Sequence, residues 1–204
     1  MLTFRGLAHD QPSPYWRQKH KPCYAVPMGH LARTIALVGM MGAGKSSIGR
    51  RLAARMQVGF RDADSEIESA AGRPITAIFG DYGEAAFRDC EARVIARLLD
   101  TPPHILATGG GAYMTADTRE RLKGKATTVW LRAPVDILFA RVKRKGERPL
   151  LNTDNPRETL ERILREREPT YGLADLIIDS EDAPHGETVE KLMLELTAKG
   201  VWQA

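Results

Sequence analysis

The feature that most constrains the fold of this chain is a glycine-rich loop between an apolar run and a helical pattern. The loop is GMMGAGKSS at 39–47, the run is TIALV at 34–38, and apolar residues then recur at helical spacing through 45–56. Glycines let backbone N–H groups curl around an anion, and a helix that begins there adds the positive end of its dipole. The strand–helix context argues against a chance glycine turn, so the pattern predicts a phosphate-binding loop that holds a nucleotide.

Within this loop, the motif G-x-x-x-x-G-K-[ST] is formed by Gly39, Gly44, Lys45 and Ser46. Lys45 is expected to neutralise the β and γ phosphates, and the Ser46 hydroxyl is expected to ligate Mg²⁺. The motif does not separate a kinase from a switch or a motor. The acceptor of the phosphate therefore has to be found elsewhere in the chain.

The rest of the chain alternates strand and helix patterns. Further strands are predicted at HILAT (104–108), ATTVWLR (126–132) and DLIID (175–179), with a short one near Phe60. Later helical patterns separate or follow them at about 83–100, 115–123, 134–144, 156–168 and 187–198. Alternation of this kind predicts an α/β fold with a parallel sheet covered on both faces, which is a three-layer sandwich.

The first part of the chain, residues 1–32, differs from the rest. It contains four prolines, shows no periodicity, and carries most of the formal net charge of +4. We predict a poorly ordered extension over 1–32 and one folded domain over 33–204. Two alternatives stay open, namely that Met28 is the true start or that the segment is a transit peptide, although it is poor in serine.

Composition restricts the possible surroundings and partners. Cys23 and Cys90 lie far apart without metal-ligand spacing, so no disulfide framework is expected, which fits a reducing compartment. No apolar run approaches the roughly 18 residues needed to cross a bilayer. The nearly neutral body gives little support for binding a nucleic-acid backbone. These features predict a cytoplasmic protein without membrane or nucleic-acid partners.

Three segments indicate an acceptor site. Asp62 and Asp64 alternate at the end of a predicted strand, so one carboxylate is expected to face a metal and the other a second ligand, unless they only cap the next helix. Glu84, Arg88 and Glu91 share a helix face, for which a solvated ion-pair ladder is the ordinary interpretation. Finally, the glycines of ATGGGAYM (107–114) follow a buried strand and allow close approach of a ligand to the backbone.

Two basic segments follow. The stretch RVKRKGERPLL at 141–151 carries Gly146 and Pro149, and REREPTY at 165–171 ends a helical pattern. Basic loops are usually solvated or contact nucleic acid. Because a nucleotide is already predicted here, an arginine-bearing lid over its phosphates is a reasonable alternative.

Taken in order, six segments resemble the shikimate kinase family over about 34–180. They are LVGMMGAGKSSIGRRLA, FRDADSEIE, IFGDYGEAAFRDCE, TGGGA, RKGERPLL and REREPTY. The resemblance implies a fold like that of nucleoside monophosphate kinases, with a five-stranded parallel sheet of order 2-3-1-4-5 and a lid at about 142–156. It also implies ATP-dependent phosphorylation of shikimate at its 3-hydroxyl, giving shikimate 3-phosphate and ADP on the route to chorismate and the aromatic amino acids.

The resemblance assigns the nucleotide side residue by residue. It implies that the ATP phosphates are held by Gly42, Ala43, Gly44, Lys45, Ser46 and Ser47. One Mg²⁺ per subunit is implied to be ligated by Ser46 and reached through water by Asp62. Arg148 is implied to reach from the lid to the phosphates and to take part in catalysis with Lys45, while Arg141 packs beside the adenine.

On the acceptor side, the resemblance implies that Asp64 binds ring hydroxyls and is the candidate base for the 3-hydroxyl. Arg88 and Arg167 are implied to clamp the carboxylate, which suits planar guanidinium groups because they bind carboxylates bidentately. The backbone of Gly109, Gly110 and Gly111 is implied to lie against the substrate, with Gly110 the best single contact. Shikimate and ATP are then the expected partners of a monomer.

The sequence departs from the family pattern in three places. Ser47 replaces a commoner threonine, residues 179–187 carry acids where many members have a basic residue beside the adenine, and the extension has no counterpart in compact members. Three rival interpretations stay open: a related kinase such as a gluconate kinase, a regulatory module without catalysis, and a nucleic-acid-binding protein. A regulatory module is expected to have lost Lys45, Asp64 or Arg88, and all three are present.

Overall fold

The computed structural model describes residues 29–145, 149–180 and 184–203. Its strands are β1 (His30–Leu31), β2 (Thr34–Val38), β3 (Phe60–Asp62), β4 (Ile105–Ala107), β5 (Ala126–Arg132), β6 (Leu176–Asp179) and β7 (Trp202–Gln203). Five of them form a parallel sheet in the order β3-β4-β2-β5-β6. When the five strands of this sheet are numbered from one in chain order, the order is 2-3-1-4-5. The predicted α/β sheet and its strand order are therefore confirmed.

The helices follow the strands and cover the sheet. They are α1 (Lys45–Met56), α2 (Ala63–Ala71), α3 (Ile75–Leu99), α4 (Ala116–Lys125), α5 (Val135–Lys145), α6 (Pro156–Tyr171) and α7 (His185–Ala198). The central strand β2 is buried at every residue, as expected for a parallel strand covered on both faces. Gly49 lets α1 approach this sheet closely, because a Cβ there would lie 2.7 Å from the Phe60 ring.

The topology decides where the functional residues meet. Parallel strands end at the same edge of a sheet, and loops that follow those carboxyl ends form the ligand-binding crevice of open α/β folds. The segments after β2, β3, β4 and β6 begin at Gly39, Ala63, Thr108 and Ser180. The phosphate loop, the acidic segment and the glycine segment are therefore neighbours in space.

Helix α3 begins earlier than the sequence pattern suggested. The element α3 runs from Ile75 and has two helical segments that meet at the non-helical Gly83, where φ is 76° and ψ is 176°. The prediction at about 83–100 matches the second segment, and the first segment was missed. Ile78 is buried in the core and Ile75 packs against it, so the first turns are stabilised by tertiary packing despite two nearby glycines. Glycine lowers helix propensity, which is why the local pattern did not show this part of the helix.

The two ends of the domain differ in part from expectation. The predicted extension reached residue 32, yet His30 and Leu31 pair antiparallel with Gln203 and Trp202, so these residues belong to the folded part. Of the predicted lid at about 142–156, the described residues form the end of α5, a short 3-10 turn at Pro149–Leu151 and the start of α6. Residues 146–148 of that lid lie outside the described residues. Within the described residues, no helix has the length and apolar character needed to cross a membrane.

Candidate active site

The phosphate loop has the backbone of an anion cradle. Gly39, Gly42 and Gly44 have φ values of 131°, 82° and 92°, a region that favours glycine, and α1 begins at the next residue, Lys45. The Lys45 ammonium group donates to the carbonyls of Gly39 at 2.8 Å and Met40 at 3.0 Å. The loop therefore holds its positive charge at the N-terminus of a helix, where a phosphate would bind.

Ser46 and Asp62 join the loop to the end of β3. The Ser46 hydroxyl donates to Asp62 Oδ2 at 2.6 Å, and Asp62 Oδ1 accepts from the Asp64 backbone N–H at 3.2 Å. Asp62 is thus the N-cap of α2. This confirms the structural alternative, which was that Asp62 caps the next helix. The same pair of oxygens suits Mg²⁺, which prefers hydroxyl, carboxylate and phosphate ligands, so capping and a metal role are compatible.

Asp62 and Asp64 do not both lie in an extended strand, so the alternation expected from their spacing does not apply. Asp62 is the last residue of β3, and Asp64 lies in the first turn of α2. The strand ends because the Asp62 carboxylate caps the helix, and the helical turn brings both carboxylates to one cavity.

Arg88 lies between two glutamates of very different exposure. Its guanidinium donates to Glu91 Oε2 at 2.7 Å and to Glu84 Oε1 at 3.0 Å. Glu84 is exposed, but the Glu91 side chain is only 2% exposed. The ordinary interpretation of a solvated ladder is therefore wrong for Glu91, which is a buried partner that orients Arg88 toward the cavity.

This buried pair has distinctive electrostatics. Burial raises the pKa of Glu91, against the opposing effect of the Arg88 charge, and the Asp64 carboxylate adds to the rise. Burial would lower the pKa of Arg88, but its interactions with Glu91 and Glu84 outweigh that effect and raise it. Glu91 Oε1 is buried and accepts no hydrogen bond from the described residues. Buried polar atoms normally have a hydrogen-bond partner, so this oxygen at the cavity wall calls for an explanation.

The three glycines after β4 are required by space, since none of them has a positive φ. A Cβ at Gly109 would overlap Glu91 Oε1 and lie 3.0 Å from Asp64 Oδ1, and a Cβ at Gly111 would overlap the Arg88 guanidinium. Gly110 lies against the phosphate loop, with Met41 N 3.5 Å from the position of its Cβ. Small residues here let the acceptor side chains and the loop backbone share one cavity.

Helix α6 contributes Arg167 to the same place. Its guanidinium donates to the Gly110 carbonyl at 3.2 Å, and that carbonyl also accepts from the hydroxyl of Tyr171, one turn further along the helix. Arg88 and Arg167 both line the cavity that contains Asp64. The structure thus brings the Arg88 and Arg167 guanidinium groups and the Asp64 carboxylate to one cavity, as the resemblance implied.

Of the remaining predicted residues, the structure describes Arg141 and Ala43 but not Arg148. Arg141 on α5 lines the cavity and donates to the buried Ser180 hydroxyl at 3.1 Å. Ala43 is fully buried, while its loop neighbours Gly42 and Gly44 to Ser47 line the cavity. Arg148 lies outside the described residues, so its predicted role is not addressed by them.

The cavity has a volume of about 770 Å³, which is within the range of small-molecule sites. It includes residues that sequence reasoning did not single out as site residues: Ser65, Glu68, Ile75, Thr76, Phe79, Phe87, Leu150, Pro184 and His185. Several of them come from the first turns of α3, which the sequence pattern missed. The apolar spacing of Ile75, Ile78 and Phe79 after Pro74 was the available signal.

Comparison with known proteins relates this chain to one family. The family model for shikimate kinase matches residues 41–197. A shikimate kinase of Bradyrhizobium diazoefficiens is 56% identical over 167 residues, which are 82% of this chain and 81% of that protein. The structure of a shikimate kinase from Acinetobacter baumannii in complex with shikimate has a TM-score of 0.79 at 37% identity, covering 82% of this chain and 94% of that one.

A more distant structure shows how far the fold extends. A gluconokinase from Sinorhizobium meliloti has a TM-score of 0.56 at 17% identity, covering 83% of this chain and 98% of that one. At this identity the likeness concerns the fold alone, whereas the family model and the 56% identical relative concern the sequence itself. The chain therefore belongs to the shikimate kinase family.

Proposed function

We propose that this protein transfers the γ-phosphoryl group of ATP to the 3-hydroxyl of shikimate, giving shikimate 3-phosphate and ADP on the route to chorismate. One observation carries the proposal: a single cavity joins the phosphate loop to Asp64, Arg88 and Arg167. Shikimate offers one carboxylate for the guanidinium groups and hydroxyls for the aspartate. The 37% identical relative from Acinetobacter baumannii, whose structure contains shikimate, supports this choice of substrate.

In this proposal the donor side places the phosphates. Backbone N–H groups of the loop and the N-terminus of α1 hold the phosphate oxygens, and the Lys45 ammonium group neutralises charge on the group being moved. Ser46 and Asp62 would hold Mg²⁺, directly and through water, and the ion would neutralise charge on the phosphate oxygens. We also propose that Arg148 reaches from the lid to the phosphates and that Arg141 packs beside the adenine.

The acceptor side orients the nucleophile. Arg88 and Arg167 bind the carboxylate of shikimate. Asp64 accepts the proton of the 3-hydroxyl while the oxygen of that hydroxyl forms a bond to the γ-phosphorus. The bond between that phosphorus and the bridging oxygen breaks, and ADP leaves. Closure of the lid would exclude water, which otherwise competes for the phosphoryl group. We also propose that the protein works in the cytoplasm, which its cysteine usage and the lack of a long apolar run favour, and that it is a monomer, which the resemblance to the family implies.

The test is a coupled assay of ADP release by purified protein with MgATP and millimolar shikimate. We expect shikimate to raise the rate well above that with MgATP alone. Gluconate serves as the comparison acceptor, since a gluconate kinase would favour it strongly. A rate unchanged by shikimate, or a larger response to gluconate, would overturn the proposal.

A further inference from the structure

Tyr171 is a buried side chain that the proposed chemistry does not use directly. It is fully buried at the end of α6, and its ring stacks on Trp130 with centroids 5.8 Å apart. Its hydroxyl donates to the Gly110 carbonyl and lies 3.8 Å from the sulfur of Met40. Tyr171 therefore contacts the central sheet, the phosphate loop and the glycine segment at one point.

The Gly110 carbonyl has two donors on the same helix. One is the Tyr171 hydroxyl, and the other is the Arg167 guanidinium at 3.2 Å. Burial raises the pKa of Tyr171 to about 12, so the hydroxyl keeps its proton and remains a donor throughout the neutral range. Arg167 can then give its N–H groups to a carboxylate while the part-buried Gly110 carbonyl keeps one hydrogen-bond donor.

We propose that Tyr171 is a positioning residue for the carboxylated substrate. By satisfying the Gly110 carbonyl, its hydroxyl fixes the peptide against which the substrate lies and releases Arg167 to bind the substrate's carboxylate. Without that hydroxyl, the carbonyl depends on Arg167 alone and holds the guanidinium away from the substrate. The inference rests on the proposed function and adds a residue that acts through Gly110 and Arg167.

The test is the variant Tyr171→Phe, which keeps the ring on Trp130 and removes only the hydroxyl. We expect KM for shikimate to rise about 5- to 10-fold, as for one lost hydrogen bond, while KM for ATP stays within about twofold. The matched control is Tyr113→Phe, because Tyr113 is also a buried tyrosine but lies outside the cavity lining. Both KM values should be unchanged in the control, and thermal unfolding verifies that both variants are folded.

A double variant tests the route through Arg167. Tyr171→Phe combined with Arg167→Lys should raise KM for shikimate by less than the product of the two single effects, because both residues act on one carbonyl. Fully multiplicative effects, an unchanged KM in Tyr171→Phe, or equal rises in both KM values would overturn the inference. Wild-type protein that turned over no shikimate would instead overturn the proposed function, and this inference with it.

Discussion

The donor and acceptor halves of the site are built in different ways. The donor half is one contiguous loop, 39–47, followed by a helix. The acceptor half is assembled from Asp64, Arg88, the glycines at 109–111 and Arg167, which lie on four separate segments. A contiguous loop can be recognised from its own spacing, whereas an assembled half depends on the sheet that brings its segments to one edge. The acceptor half is therefore where substitutions should change which substrate is bound.

The largest expected effect comes from Asp64→Asn, which removes the proton acceptor from the acceptor half. We expect kcat to fall about 100-fold or more, while nucleotide affinity measured by calorimetry stays near the wild-type value. The control is Asp81→Asn, since Asp81 lies outside the cavity lining and pairs with Arg73 at 2.9 Å. Loss of ATP binding in Asp64→Asn would break the separation of the two halves.

Arg88→Lys keeps the charge and removes the planar fork. KM for shikimate should rise about 10- to 100-fold with KM for ATP unchanged, because lysine cannot bind a carboxylate bidentately. Arg93→Lys on the same helix is a matched control, since Arg93 is exposed and pairs only with Asp89 among the contacts described. Equal effects in the two variants would show that Arg88 does not face the substrate.

Gly111→Ala tests whether the glycines are required for space. The new methyl group would meet the Arg88 guanidinium, so we expect KM for shikimate to rise about 5- to 10-fold through its displacement. Gly124→Ala is the control, because a Cβ there meets no atom within 4 Å. An unchanged KM in Gly111→Ala would mean that Arg88 can move aside without loss of binding.

The smallest effect concerns the opposite end of the sheet from the site. His104 precedes β4, its Nδ1 lies 3.0 Å from the Pro102 carbonyl, and burial lowers its pKa. His104 therefore binds a proton more readily in the unfolded chain than in the folded one. The free energy of unfolding should decrease as the pH falls below about 6.5. Urea unfolding at pH 5 and pH 7.5 should show less acid destabilisation in His104→Asn. The same destabilisation in the variant would contradict this, and activity at neutral pH should be unaffected.

Much of the fold followed from patterns along the chain. The strand at 34–38 and the loop after it were evident, since a buried parallel strand is continuously apolar and the loop glycines have fixed spacing. The early start of α3 was not evident, because Ile75 and Ile78 are stabilised by packing that overrides the glycines around them. Local propensity cannot report contacts that exist only after the sheet has formed.

The same limit applies to the site. Arg88 and Arg167 were identified because the segments that contain them resemble a known family. Both residues line one cavity, as that resemblance implied. The burial of Glu91 was missed, because an i, i+3 pair on a helix has the same spacing whether it faces water or a cavity. The face of α3 that carries Arg88 and Glu91 is covered by the glycines at 109–111, which follow the end of the helix at Leu99 by ten residues or more.

The central claim is that Asp64 meets the hydroxyl of shikimate that receives the phosphate while the two arginines hold the carboxylate. The position of the transferred phosphate tests this most directly. We would incubate the purified protein with MgATP and shikimate and record phosphorus–proton correlation spectra of the product. The account predicts coupling of the phosphorus to the ring proton at carbon 3. Coupling to the proton at carbon 4 or carbon 5, or the absence of any phosphate ester, would contradict it.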